Sequence, residues 1–199
     1  MRHDLRPAIS RRAVLLVVLL AALSAAAGRA DAAGDEALWT LLKGGGQVVL
    51  IRHAITTPGV GDPPGMRLEE CSTQRNLTDA GRAHARRVGE AFRARKIPVD
   101  RVMSSPWCRC LETARLAFGP PEVWAALGNL FERPQNRAEQ VAQMQAFVGG
   151  LRRSGNVVLV SHGSTIAALT GTNPDPAEMV VLTPQGGTRF TLAGRLAVR

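Results

Sequence analysis

Two kinds of run alternate along the chain. One kind is short and Val-rich: "GQVVLI" at residues 46–51, "PVDRVMSS" at 98–105 and "GNVVLVS" at 155–161. Short runs of β-branched residues bounded by Gly, Pro or Ser predict buried strands. The other kind is longer, with charges spread between apolar positions. "LTDAGRAHARRVGEAFRARK", residues 77–96, predicts a helix with Thr78 as N-cap. "PWCRCLETARLAF", 106–118, predicts a second helix with Pro106 at its first position. "NRAEQVAQMQAFVGGLRR", 136–153, predicts a third, weakened near its end by Gly149 and Gly150. "STIAALTG", 164–171, predicts a short helix stopped by Gly171. "EMVVLTP" and "TRFTLAGRLAV" predict two late strands. The segment "TTPGVGDPPGM", 56–66, can only be a loop. Strands alternating with helices predict an α/β protein whose parallel or mixed sheet carries helices on both faces.

The beginning of the chain follows a different pattern. "MRHDLRPAISRR" is basic, and "AVLLVVLLAALSAAA", Ala13 to Ala27, is apolar but short of the roughly 20 residues that span a bilayer. "ADA", Ala30 to Ala32, follows as a cleavage signal of small residues. This predicts a cleaved export signal over residues 1–32 and a mature domain over 33–199, periplasmic or secreted, with no stable membrane span. "SRRAVLL" resembles a twin-arginine signal, although paired arginines also occur in general secretory leaders. His3 belongs to this leader.

Residues 33–199 suffice for one domain with a substantial core. Aromatics make up only 4% of the chain and Tyr is absent, so that core must be mostly aliphatic. The formal net charge is +9; five Arg and two Asp fall within residues 1–32, leaving about +6 on the rest. All the basic residues except Lys43 and Lys96 are Arg. A positive field draws in anionic substrates. Basic residues are not interleaved with aromatics, which argues against a nucleic-acid partner. The three Cys are Cys71, Cys108 and Cys110. An exported domain keeps disulfides, so one bridge is expected, from Cys71 to Cys108 or to Cys110, with one thiol left over.

The chemistry gathers at strand ends. Arg52 and His53 follow the first strand, Arg109 opens the helix after the second, and His162 follows the third. Ligands of open α/β sheets bind beyond the carboxyl ends of the strands, so these four residues are expected to converge. Helix N-termini there add backbone N–H groups and partial positive charge. Arg holds phosphoryl oxygens bidentately, and a neutral imidazole among cations is a nucleophile suited to phosphorus. His53 and His162 as metal ligands would be poor chemistry, because Arg52 and Arg109 repel a cation and no ligand cluster has metal spacing. His84, in line with Val88 and Phe92, reads as a boundary residue of its helix.

"LIRHAIT", "RNLTDAGRAHA", "SSPWCRCLETA" and "VVLVSHGSTIAALTG" resemble, in order and spacing, the signature blocks of the histidine phosphatase superfamily, also called phosphoglycerate mutase-like. The resemblance implies a three-layer α/β/α sandwich with a mostly parallel central sheet. It implies a phospho-accepting role for His53, a second catalytic role for His162, and phosphate clamping by Arg52 and Arg109. It implies no metal or organic cofactor for hydrolysis. "RHAIT" and "SHG" resemble the mutase and small-phosphatase branch rather than the acid phosphatase and phytase branch. The leaving oxygen needs a proton. The family pattern makes Glu132, in "NLFERPQN", the candidate donor, with Asp62 in the long loop as its rival.

The function expected is therefore an exported phosphatase acting through a phosphohistidine on His53. Its partner would be a small phosphorylated molecule, such as a monoester or sugar phosphate, or a phosphorylated envelope component. Members working on labile phosphoryl bonds with no strong acid offer a variant of this reading. Two alternatives remain: a phosphate-binding or interaction module without turnover, and a phosphoglycerate-type mutase, which export disfavours.

Overall fold

The structure is a computed structural model and describes residues 34–59 and 61–198. The export signal expected over residues 1–32 lies outside the described residues. One compact unit runs from Leu38 to Arg199. A helix over residues 34–43 (α1) leads into β1 (Val48–Arg52), and the long loop follows. Then come α2 (Asp79–Ala94), β2 (Val99–Ser104), α3 (Cys108–Phe118), β3 (Glu122–Val123), α4 (Arg137–Gly150), β4 (Asn156–Ser161), α5 (Gly163–Thr170), β5 (Met179–Gly186) and β6 (Arg189–Leu196). No helix among the described residues is long and apolar enough to cross a membrane.

The six strands lie in the order β3-β2-β4-β1-β5-β6. β3, β2, β4 and β1 are parallel, while β5 and β6 run antiparallel on one side. Side chains alternate between two cores, as the period of two in a strand requires. Val49, Ile51, Val158, Val160, Met179 and Val181 face one core, with Phe92 of α2 and Ala114 of α3. Val48, Leu50, Val157, Leu159, Val180 and Leu182 face the other, with Met144 of α4 and Ile166 of α5. The result is the expected three-layer arrangement with a mostly parallel sheet. It explains why the central strands are apolar throughout: neither face meets water.

Thr78 caps α2 as expected, accepting a hydrogen bond from Gly81 N–H. Gly171 ends α5 in the left-handed conformation, φ +74°. Two expectations are corrected. Pro106 is not the first residue of α3, because Trp107 is still extended (φ −66°, ψ 135°) and the helix begins at Cys108. Its start is set from outside: Gln74 Oε1 accepts from Cys108 N–H at 2.9 Å. α4 stops at Gly150 rather than 153, since Leu151 turns extended (φ −59°, ψ 134°). The two-residue strand β3 and the helix α1 were not foreseen.

Candidate active site

The strand order builds the site. β4 lies between β1 and β2, and Arg52 pairs in register with Ser161. The chain leaving β1 stays attached to β4, with His53 N–H donating to Ser161 O at 2.9 Å. The chain leaving β2 does the same, with Ser105 N–H donating to Val160 O at 2.9 Å. Three strand ends separated widely in sequence thus meet within hydrogen-bond reach. Beyond them lies a cavity of about 410 Å³ whose lining includes Arg52, His53, Arg75, Arg109 and His162. All four expected residues of the strand ends come together. The same cavity lining contains no carboxylate.

His53 is buried and its orientation is fixed. Nδ1 lies 2.9 Å from Ala54 O, a carbonyl that can only accept, so Nδ1 carries the proton and Nε2 holds a lone pair. Ala54 N–H in turn donates to Thr113 Oγ1 of α3 at 3.0 Å, which holds this turn in place. Burial, with the charges of Arg109, Arg52 and Arg75, pushes the His53 imidazole down to about 3, against an upward pull from the Ala54 carbonyl. The ring is therefore neutral at any ordinary pH.

His162 is the N-cap residue of α5 and stands beside His53, ring centroids 5.4 Å apart. Its Nε2 lies 2.8 Å from Ser105 Oγ. Burial, then the charges of His53 and the three arginines, hold it well below the usual histidine range. Gly163 is required next to it: a Cβ there would stand 2.5 Å from Asn173 Oδ1 and 3.4 Å from Arg52 Cζ.

The arginines are positioned by their own contacts and keep donors in reserve. Arg52 Nη1 donates to Pro174 O at 2.8 Å. Arg75 Nη1 donates to Thr56 Oγ1 and Gly59 O. Arg109 Nη1 donates to both oxygens of Asp62, at 2.7 and 3.0 Å. Arg52 Nε, Arg75 Nε, Arg109 Nε and Nη2, and His162 Nδ1 are buried without a protein partner. Each such group costs free energy unless something accepts from it. Here they belong to four side chains lining one cavity. A tetrahedral oxyanion is the kind of ligand that satisfies several such donors at once.

Residues 48–130 match the model of the histidine phosphatase superfamily (branch 1). The matched stretch is under half of the chain and includes Arg52, His53, Arg75 and Arg109. Among solved structures it resembles the protein histidine phosphatase SixA complexed with tungstate (19% identity, TM-score 0.53, 76% of this chain and 96% of that one). It also resembles the phosphoserine phosphatase of Entamoeba histolytica in complex with 3-phosphoglyceric acid (16%, 0.54, 77% and 98%). A third is the product of the open reading frame Rv3214 of Mycobacterium tuberculosis (19%, 0.54, 76% and 97%). At these identities the three likenesses concern the fold. No curated protein matches the chain in sequence.

At this site two residues went unnoticed in the sequence, and a third, Asp62, was weighed only as a proton donor. Arg75 is a third arginine of the site; it opens the block "RNLTDAGRAHA", and that position was the available signal. Ser105 holds His162. Asp62 proves to be the partner of Arg109, its side chain only 1% exposed. Burial alone would raise the Asp62 carboxyl, but hydrogen bonds from Arg109 and Arg75 N–H, the Arg109 charge and the Trp107 indole hold it below the usual carboxylate range. An ionised group committed to these donors is badly placed to give a proton. Glu132 is half-buried and is not among the residues lining the cavity; its Oε1 accepts from Asp62 N–H at 3.0 Å. Of the cysteines, Cys71 and Cys108 form the disulfide and Cys110 is free and buried. His84 is half-buried within α2, its Nε2 2.8 Å from Val198 O.

Proposed function

We propose that this chain is an exported phosphatase that hydrolyses phosphoryl compounds through a phosphohistidine on His53. The observation that carries the reading is the set of buried, unpartnered nitrogens on Arg52, Arg75, Arg109 and His162, four side chains that line one cavity together with His53. Those donors hold the three non-bridging oxygens and gain strength as charge builds on them. His53 Nε2 attacks phosphorus and forms the N–P bond. The P–O bond to the leaving group breaks, its electron pair departs with that oxygen, and Glu132 supplies the proton. Water, deprotonated by Glu132, then breaks the N–P bond; inorganic phosphate leaves and the acid and His53 are restored. Asp62 keeps Arg109 aimed. The tungstate complex of the SixA structure, an oxyanion in a protein of this fold, supports the same reading. The leader-like first 32 residues and the Cys71–Cys108 disulfide support a periplasmic or secreted location.

The test is hydrolysis of p-nitrophenyl phosphate by the purified protein, with acid-labile phosphoenzyme trapped in parallel. Turnover and label, both abolished by His53→Ala, are the expected result. Tight phosphate binding with neither would establish the non-catalytic phosphate-binding module instead.

A further inference from the structure

Beside the arginines and histidines, the cavity lining includes uncharged residues that bear on what a phosphate there is attached to. Among them Phe131 stands on the rim with 61% of its surface exposed, one of four large apolar side chains so exposed among the described residues. A single exposed apolar residue usually needs no explanation. Phe131 differs because its backbone is tied to the site. Its N–H lies 3.1 Å from both Asn129 Oδ1 and Ser164 Oγ, and Ser164 lies in the first turn of α5, directly after the His162–Gly163 pair. The ring reaches across toward the long loop: a Cβ on Gly61 would lie 3.6 Å from Phe131 Cε1. The backbone that carries this aromatic side chain is thus fixed beside the cavity.

The surroundings of Phe131 include a carboxylate, Glu132, whose Oε1 would lie 2.8 Å from the same Cβ on Gly61. Asn129, Asn173 and Ala167 line the cavity as well, with loop glycines. The Asn129 carbonyl is committed to Phe131 N–H and Ser164 Oγ, which leaves its amide as a donor. Glu132 is occupied by Asp62 N–H and, in the reading above, by the proton transfer, which leaves no carboxylate in the lining itself to pair with an amine. We infer that Phe131 is the specificity-determining residue of this site, and that it selects phosphomonoesters whose leaving group is uncharged and presents a flat apolar face. Phosphorylated amino acids and phosphoglycerates, whose leaving groups carry charge beside the ester, are discriminated against. The inference rests on the phosphatase reading for its clamp, and it concerns binding of the leaving group rather than the covalent step.

Phenylphosphonate and inorganic phosphate test it apart from turnover, since neither is hydrolysed. In the full chain, phenylphosphonate is expected to bind about tenfold more tightly than phosphate, a margin consistent with one aromatic contact. Phe131→Ala is expected to abolish that margin and leave phosphate affinity unchanged, with Phe131→Leu intermediate. In turnover, kcat/KM for phenyl phosphate is expected to exceed that for phosphoserine and 3-phosphoglycerate, and the excess to vanish in Phe131→Ala. Equal affinities for the two probes, a margin that survives Phe131→Ala, or a loss of phosphate affinity in that variant would each overturn the inference. So would equal turnover of phosphoserine and phenyl phosphate. A binding margin that depends on Phe131 in a protein without turnover would uphold this subsite and remove the phosphatase reading alone.

Discussion

Asp62 and Arg109 form a fully buried ion pair, 0% and 1% exposed at Arg109 and Asp62 respectively, between the loop after β1 and the first turn of α3. The pair spends one guanidinium nitrogen on alignment and leaves two for a ligand. Removing one member of a buried pair strands the other's charge, at about 3–5 kcal/mol. Asp62→Ala is therefore expected to lower thermal stability by about that amount and to weaken phosphate binding, both measurable on one sample by thermal unfolding with and without phosphate. Because the Asp62 carboxyl titrates lower in the folded chain than in the unfolded one, its contribution is present above the unfolded value of 3.8 and is lost as pH falls below it. The stability gap between wild type and variant should therefore close in acid.

His53 acts in the same direction as Asp62, over a pH window that begins higher. His53 titrates near 6.5 when unfolded and at about 3 when folded, so the unfolded chain binds the extra proton throughout that window. Stability is undiminished above pH 6.5 and falls as pH drops toward 3, by up to about 1.4 kcal/mol per pH unit from this group. His53→Gln should flatten part of the decline seen in urea unfolding between pH 6.5 and 4. If His53 is the nucleophile proposed above, the acid limb of the wild-type pH–rate profile should not show a midpoint near 6.5, because its ring stays neutral there. A midpoint near 6.5 that moves with His53 substitutions would contradict the environment described.

The Cys71–Cys108 bridge joins the turn before Arg75 to the residue before Arg109, so it bears on two clamping arginines at once. Closing a loop with a sequence separation of 37 contributes about 2–4 kcal/mol. The double variant Cys71→Ser/Cys108→Ser is expected to melt earlier by that margin. It should also show a raised KM with a smaller change in kcat, since the arginines are loosened while His53 is held separately by Ala54 and Thr113. The remaining thiol, Cys110, is buried beside His162 and raised to about 12 by burial, so it should resist alkylation in the native protein and react on unfolding.

What local pattern determined was the alternation of elements, the burial of the central strands on both faces, and the caps of α2 and α5, because these depend on residues within a few positions of one another. The four residues at strand ends were legible for a related reason: in a parallel sheet the direction of the strands already sends their carboxyl ends to one side. What required the folded chain was every relation between distant segments. The insertion of β4 between β1 and β2 decides that His162 stands next to His53. The start of α3 depends on Gln74, the choice of Cys108 over Cys110 on where the loop turn at Cys71 lies, and the role of Asp62 on a carboxylate reaching Arg109 across 47 residues. Such contacts leave no periodicity in the sequence, because a hydrogen bond or ion pair constrains only two side chains and only at the distance that tertiary packing sets.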